Sequence, residues 1–169
     1  VASAELPQTL QEISVDSGSG LQTITVARGS RFFKDIDGVL FDATGETLIL
    51  YPEGRRDEKY EVPAGVKEIG EGAFSGNDFL QEVVLPSGLE KIGARAFSYS
   101  GRLRSVTGAF AEVCAGAFYG CQNLESVPAM PEEIYESTFD GCSNLKNVDF
   151  SRTKTIGAYA FRHCIALKE

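Results

Sequence analysis

Apolar and polar positions along residues 62–169 follow a pattern that repeats itself. Phenylalanine recurs at spacings of 23, 21, 21 and 22 residues, with Ile or Val five positions before it and Leu six positions after it. These phenylalanines are Phe74, Phe97, Phe118, Phe139 and Phe161. A period of about 20 to 29 residues is typical of a solenoid in which each repeat forms one coil. The pattern therefore predicts stacked coils whose phenylalanines form a column in the core.

Each repeat contains two extended pieces and one turn. The alternation of apolar residues in Leu80–Leu85, and its counterparts at 103–108, 124–129 and 145–150, predicts a short strand in every coil. Strands at one position of successive coils form a parallel sheet with neighbours about 4.8 Å apart. Leu89–Ile92 is a second, shorter extended piece. The Ala-Phe segment predicts a single helical or 3₁₀ turn, and the shared position of Gly76, Gly120 and Gly141 suits a turn with positive φ.

The first sixty residues are a degenerate version of the same pattern. Leu6–Ile13 aligns with Leu85–Ile92, and the turn-rich segment Asp16–Gly20 replaces the Ala-Phe element. Further on, apolar residues flank the tetrad Asp42–Gly45, which predicts a β-hairpin. We therefore divide the chain into a degenerate repeat with a hairpin module at 1–61 and five regular repeats at 62–169, joined in one continuous solenoid.

The repeat resembles the BspA-like leucine-rich repeat. The residues that carry this resemblance are the string I-G-x-x-A-F-x-G-C-x-x-L-x-x-V-x-L-P and the segment Asp37–Pro52, which is similar to the hairpin module found between such repeats. Asn77 and Ser100 stand where the repeat has cysteine. The resemblance implies a leucine-rich-repeat solenoid, a right-handed parallel β superhelix with short helical or 3₁₀ turns and an N-terminal β-hairpin insertion. It also implies a bacterial cell-surface or secreted protein with a role in adhesion or ligand binding.

Composition and charge exclude several classes of function. With 43% apolar and 24% charged residues, the 169-residue chain has the composition of a folded protein. No apolar run reaches the roughly 18 to 20 residues of a membrane-spanning helix. The net charge of −8 works against nucleic acid as a partner. His163 is the single histidine, so multi-histidine metal sites are nearly excluded.

Cysteines are the first candidates for chemistry. Cys121, Cys142 and Cys164 share one repeat position and are predicted to stack as a column of small buried residues, with thiols near backbone carbonyls. A disulfide within the column and a zinc site are the alternatives, although the spacing lacks paired C-x-x-C motifs. Cys114 lies at a different repeat position and is interpreted as an incidental thiol.

Two further motifs have a chemical and a structural interpretation. His163 precedes Cys164, which allows a Cys–His nucleophile, but no orienting group accompanies the pair, and a solvated turn is favoured. Asp35 and Asp37 resemble the start of a calcium loop, but apolar residues fill the next ligand positions, which favours the hairpin.

Outward-facing side chains of the predicted sheet are the candidate ligand-binding residues. They are Glu82, Arg104, Glu125, Lys146 and Asn147. Repeat proteins bind along the extended surface that their stacked repeats create. This mixed polar face is either a binding surface for a protein or glycan or plain solvated surface. It lacks the stacked aromatic row expected of a sugar-binding platform.

We therefore predict a non-enzymatic binding or adhesion module that recognises a protein or a glycan, host-derived ones included. The sequence brings together no nucleophile, base and orienting group, so no catalytic residue, cofactor or metal is expected. The alternative is a structural spacer or a self-associating surface scaffold without a specific ligand. The chain begins at Val1 without Met. We interpret it as part of a longer protein with its export signal outside this chain, and we expect a cell-surface or extracellular location.

Overall fold

The protein is a stack of coils, each of which contributes short strands to sheets that run along the stack. The structure, a computed structural model, describes residues 2–14 and 20–168, which form a β-solenoid of about seven turns. The strands are β1 Ser3–Leu6, β2 Thr23–Val26, β3 Phe33–Ile36, β4 Val39–Asp42, β5 Thr47–Leu50, β6 Lys59–Glu61, β7 Glu68–Ile69, β8 Glu82–Val84, β9 Lys91–Ile92, β10 Ser105–Thr107, β11 Glu112–Val113, β12 Glu133–Ile134 and β13 Thr155–Ile156. The predicted segment Asp16–Gly20 lies, apart from Gly20, outside the described residues.

Strands pair with the same repeat position of the next coil. One sheet has the order β10-β8-β6, and a longer one has the order β11-β9-β7-β5-β4-β3. The parallel register places Val106 beside Val83. In the longer sheet it places Ile92 beside Ile69. The predicted leucine-rich-repeat solenoid is therefore confirmed.

The predicted parallel sheet weakens beyond β10. Segments 124–129 and 145–150 contribute only isolated bridges, which join Ser105 to Ser126 and Ser126 to Asn147. Ser126 N donates to the Arg104 carbonyl at 3.3 Å. The next donor in this ladder would be Pro128, which has no N–H group. The prediction of a full strand is wrong at 124–129 for this reason, and it is also wrong at 145–150, where the segment contains no proline and the structure gives no corresponding cause.

The N-terminal hairpin insertion is confirmed and is larger than predicted. Strands β4 and β5 pair antiparallel, and β5 pairs parallel with β7, which joins the insertion to the solenoid sheet. A third strand, β3, pairs antiparallel with β4 through a two-residue turn at Asp37 and Gly38. Both turn residues have positive φ, 49° and 74°. An Asp-Gly pair with this geometry is a strong hairpin signal that the sequence prediction did not use.

The Ala-Phe segments are chains of turns, and the predicted helical or 3₁₀ turns are not confirmed, since the described residues contain no helix. The absence of a helix in these described segments follows from the direction of the backbone N–H groups, which point alternately within the coil and towards the next coil. Ser75 N donates within the coil to the Gly72 carbonyl at 2.9 Å, whereas Phe74 N donates to the Ala96 carbonyl of the next coil at 2.7 Å. Because every second donor points along the stack, a helical ladder cannot form. The predicted positive φ is confirmed at 70°, 72° and 82° for Gly76, Gly120 and Gly141.

Aromatic rings form a continuous column through the core. The rings of the five repeat phenylalanines stack face to face, with centroids 4.8 to 5.3 Å apart. Phe74, Phe97, Phe118 and Phe139 are fully buried, and Phe161 is partly buried. Tyr51 extends the column into the hairpin, with its ring 5.0 Å from that of Phe74. This column fixes the register of the coils and therefore the positions of all surface side chains.

Candidate functional site

The sheet face carries the five predicted ligand-binding residues in two neighbouring columns. Arg104, Glu125 and Lys146 occupy one repeat position, and Glu82 and Asn147 occupy the next. All five are at least partly exposed.

Charges on this face pair mainly with one another. Lys146 Nζ lies 2.6 Å from Glu125 Oε2, and this hydrogen bond lowers the pKa of Glu125. Lys59 Nζ lies 3.6 Å from Glu82 Oε1. Exposed pairs of this kind contribute little to stability. They do reduce the number of charges on this face that can attract a ligand.

The cysteine column lies inside the coils. Cys121 Sγ donates to the Phe97 carbonyl at 2.9 Å, Cys142 Sγ to the Phe118 carbonyl at 3.1 Å, and Cys164 Sγ to the Phe139 carbonyl at 3.1 Å. All three thiols are free, and burial raises the pKa of Cys121 to about 12. Ser100 makes the same bond to the Phe74 carbonyl at 2.9 Å. Because a hydroxyl makes the same bond as the thiols, the side chain at this repeat position has a structural role, which is to hydrogen-bond to a backbone carbonyl of the preceding coil.

The side chains of the His163–Cys164 motif and of the Asp35 and Asp37 motif make hydrogen bonds and turns that support the fold. The expectation that no orienting group accompanies His163 is wrong, because its Nδ1 lies 3.2 Å from Asp140 Oδ1. The Cys164 thiol, however, donates to the Phe139 carbonyl at 3.1 Å. Asp35 Oδ1 accepts a hydrogen bond from Val26 N at 2.7 Å, and Asp37 lies in the β3–β4 turn. Across residues 2–14 and 20–168, no three His, Cys, Asp or Glu side chains come together as a metal site requires.

The turns around each phenylalanine expose a second surface. Every regular coil has left-handed backbone two residues before and two residues after its phenylalanine. Glycine occupies five of these positions, namely Gly72, Gly76, Gly116, Gly120 and Gly141. The other five are Arg95, Tyr99, Ser137, Tyr159 and His163, with φ between 54° and 61°. This conformation costs a residue other than glycine about 1–2 kcal/mol, so these side chains are present despite a backbone penalty.

A groove of about 1110 Å³ crosses these turns, and its lining runs from Ile13 and Ser14 in the N-terminal coils to Glu136 and Ser137 in the coil after β12. Its lining includes Gly70, Gly72 and Gly116, where the lack of a side chain leaves room. The apolar residues Ile49 and Pro52 lie at its N-terminal end. The groove therefore spans several coils.

Two tyrosines define the middle of the groove. The rings of Tyr99 and Tyr119 meet edge to face, with centroids 5.3 Å apart and an interplanar angle of 76°. Tyr99 is 61% exposed. A Cβ atom on Gly120 would lie only 2.9 Å from the Tyr99 ring, so the ring rests on glycine backbone. Partial burial and the neighbouring Tyr119 raise the pKa of Tyr99. Its hydroxyl therefore stays protonated at neutral pH and is able to donate a hydrogen bond.

Charged groups flank the tyrosines. Arg95 lies beside Gly116, and the carboxylates of Glu71 and Glu136 line the groove in neighbouring coils. None of these three side chains belongs to an ion pair among the described residues. They contrast with the paired charges of the sheet face.

Sequence reasoning placed none of these groove residues in a site. A signal was available, because Arg95 and Tyr99 stand at repeat positions that glycine holds in the coils on either side. To use this signal, one must know that both positions adopt left-handed backbone in every coil. The repeat string alone indicated this for one of the two positions.

Comparison with known proteins agrees with this architecture. The model of the "BspA type Leucine rich repeat region" matches residues 56–168 in six copies, one more than the phenylalanine spacing predicts. No curated protein matches the chain.

Solved structures share the fold. A leucine rich cell surface protein from Faecalibacterium prausnitzii A2-165 is 29% identical, with a TM-score of 0.85 over 99% of this chain and 47% of that one. The pneumococcal vaccine antigen PcpA is 28% identical, with a TM-score of 0.65 over 93% of this chain and 35% of that one. This chain thus spans about half or less of the length of these relatives.

A third match shows the fold alone. It is a leucine-rich repeat protein from Eubacterium ventriosum ATCC 27560, 17% identical, with a TM-score of 0.56 over 95% of this chain and 58% of that one. No described helix is long and apolar enough to cross a membrane. From the matched repeats and the solenoid together, the chain belongs to the BspA-type leucine-rich repeat family.

Proposed function

We propose that this chain is a non-enzymatic binding module of a bacterial cell-surface or secreted protein, and that it recognises a protein or a glycan. The observation that carries the proposal is the groove across the turns, which combines exposed tyrosine rings with unpaired charged side chains. Ligand sites are typically concave and contain a few converging polar groups. The cell-surface relative from Faecalibacterium prausnitzii supports the location.

A direct binding assay tests this function and locates the site. The intact chain is presented to arrays of glycans and of host matrix proteins, and each interaction is measured by biolayer interferometry. One variant carries alanine at Glu82, Arg104, Glu125 and Lys146 on the sheet face, and a second carries Tyr99→Gly in the groove. Binding that only the groove variant loses would place the ligand in the groove. Binding that only the sheet variant loses would place it on the predicted face.

The alternative function is a spacer or self-associating scaffold. The charge pairing of the sheet face favours it, since pairs such as Lys146 with Glu125 leave fewer charges on that face to attract a ligand. Sedimentation velocity over a range of protein concentrations measures self-association. A failure of every array together with reversible, concentration-dependent oligomers would favour the scaffold over the binding module.

A further inference from the structure

The coil that contains Phe97 differs from the coils on either side of it. Both of its left-handed positions carry large side chains, Arg95 and Tyr99, whereas the coils of Phe74 and Phe118 have glycine at both. Backbone strain of this kind persists where the side chain has a role that glycine cannot fill, and it is enriched at binding sites. The two side chains lie in the groove, one on each side of the buried phenylalanine.

The Tyr99 ring is held in place without being covered. One part of it rests on Gly120, and the edge-to-face contact with Tyr119 restrains it further. Most of its surface is still open to solvent. A fixed aromatic ring loses little conformational freedom when a ligand stacks on it, which favours binding.

Hydrogen-bonding groups of both kinds line the groove that contains this ring. Arg95 is a donor with no acidic partner among the described residues, and Glu71 and Glu136 are acceptors. A ligand that fits must therefore both donate and accept hydrogen bonds around a flat apolar face. Sugar hydroxyls donate and accept, and the C–H face of a pyranose ring is drawn to the negative face of an aromatic ring.

We propose that the groove binds a neutral oligosaccharide, which stacks on Tyr99 and Tyr119 and hydrogen-bonds to Arg95, Glu71 and Glu136. The proposal rests on the binding function proposed above and names its ligand class. Three carboxylates, those of Glu53, Glu71 and Glu136, line the groove against the single cation of Arg95, which disfavours an acidic glycan.

A protein ligand fits this groove less well. Tight protein interfaces depend on apolar or aromatic anchors that fill well-packed pockets. The small residues Gly70, Gly72, Ala115 and Gly116 line the groove through its middle coils, and the apolar side chains Ile13, Ile49, Leu50 and Pro52 line only its N-terminal end. An oligosaccharide needs no such pocket, because it binds through one stacked face and through hydroxyls at its edges.

Calorimetry on the intact chain tests the ligand class. The probes are maltohexaose, cellohexaose, mannohexaose and a galactose-terminated host-type hexasaccharide, with a heparin hexasaccharide and a lysine-rich hexapeptide as charged comparisons. We expect at least one neutral probe to bind, with an affinity that changes less than about twofold between roughly 50 and 500 mM NaCl, because neutral ligands are not screened. The neutral arms also distinguish storage or structural polysaccharides from host glycans.

Tyr99→Gly separates a binding role from a structural one. We expect it to reduce the affinity by about two- to tenfold, the loss expected for one stacked ring. The melting temperature should stay the same or rise, because glycine suits this backbone as it does in the neighbouring coils. Tyr99→Phe keeps the ring and should keep most of the affinity. Tyr159→Gly, at φ 59° and outside the groove lining, is the matched control and should bind like the parent.

Three results would overturn the proposal. The first is that no neutral probe binds, and the second is that only heparin or the peptide binds, with strong salt dependence. The third is that Tyr99→Gly binds a neutral probe as well as the parent does. In the second and third cases the chain still binds a ligand, so the binding function survives while the oligosaccharide proposal fails. In the first case the binding function survives if the matrix-protein array is positive, and both fail if every array is negative too.

Discussion

The two ends of this solenoid are held together in different ways. Among the described residues, the repeat region shares one continuous core of thirty buried residues that runs from the hairpin to Ala160. The described part of the N-terminal coils has a second core with three buried members, Ile24, Phe33 and Leu40, and partly buried neighbours. The hairpin divides the two, because Val39 and Phe41 face the large core while Leu40 faces the small one. Successive side chains of a strand point to opposite faces of the sheet, so β4 contributes to both cores.

The difference shows what repetition contributes. In the repeat region each coil adds an equivalent set of residues to its neighbours, so stability accumulates along the stack. In the N-terminal region, stability depends on contacts that are not repeated from coil to coil. Asp42, for example, holds the β4–β5 turn by accepting hydrogen bonds from Gly45 N at 2.9 Å and Thr47 N at 3.0 Å. Changes in the two regions should therefore differ in size and in reach.

The largest contrast is expected for the removal of one aromatic ring from each core. Phe97→Ala should lower the free energy of unfolding by about 3–5 kcal/mol, because it leaves a cavity in the middle of the stacked column. Phe33→Ala should cost about 1–3 kcal/mol, because partly buried neighbours are able to close the smaller space. Urea denaturation followed by circular dichroism measures both. Equal losses would contradict the comparison.

A smaller contrast concerns two carboxylates. The Asp140 side chain is only 2% exposed, and Arg162 Nη2 lies 2.6 Å from it, whereas Asp37 is 87% exposed in its pair with Arg55. Asp140→Asn should cost about 1–2 kcal/mol at pH 7, moderated by the exposure of Arg162, and Asp37→Asn about 0.5 kcal/mol or less.

The pKa of Asp140 determines how the destabilisation by Asp140→Asn changes with pH. The hydrogen bonds from Arg162, opposed by burial and aided by His163, hold the pKa of Asp140 below its ordinary value of 3.8. The stabilisation is therefore complete above that pH and is lost as the pH falls through the lower pKa of the folded protein. Melting temperatures from about pH 7 down to pH 2 should converge for the parent and Asp140→Asn. A difference that stays constant over this range would contradict the assignment.

Tyr51 joins the two regions, so its hydroxyl tests the junction. Tyr51 donates to Asp57 Oδ2 at 2.8 Å, and Arg55 Nε binds the same oxygen at 2.8 Å. Tyr51→Phe keeps the stacked ring but removes this bond, at a cost of about 1 kcal/mol. Hydrogen exchange should become faster in residues 33–61 and change little in residues 92–145. Uniform acceleration along the whole chain would mean that the two regions unfold as one unit.

Cysteine reactivity should report on the repeat region without changing its stability. Burial raises the pKa of Cys121 and Cys142 and that of Cys164 to about 11, so little reactive thiolate exists at neutral pH. A thiol reagent should react with Cys114 first and with the column only as the repeats unfold. The denatured protein should give all four thiols. Fewer than four would favour the disulfide alternative.

Part of the structure was predictable because it depends on spacing alone. The phenylalanine positions follow from the period, and the hairpin follows from the Asp42–Gly45 turn. The interruption of the sheet at Pro128 was also readable in principle, since proline cannot donate to a ladder. The third hairpin strand was missed because Asp37 and Gly38 were interpreted as the start of the hairpin module or of a calcium loop, and not as a turn that follows a strand.

The candidate site was less predictable than the fold. The predicted sheet face follows from strand alternation, but the alternation does not show that Lys146 and Glu125 neutralise each other. The groove combines residues from coils that lie far apart in sequence, such as Glu71 and Glu136. That both line one groove depends on the rise of each coil and on the left-handed turns, which a single repeat does not specify.

The amino-acid sequence by itself determined the repeat, the family and the buried aromatic column, because a core position must be apolar in every coil and therefore leaves a periodic mark. Surface positions carry no such mark, since water accepts many side chains there. Only the tertiary structure decided which exposed residues meet across coils and which backbone positions are strained. Stacking places Tyr99 on Gly120 and opens the groove between them and Glu71. The repeat period therefore determines the fold, whereas the candidate site is formed by residues that depart from the repeat.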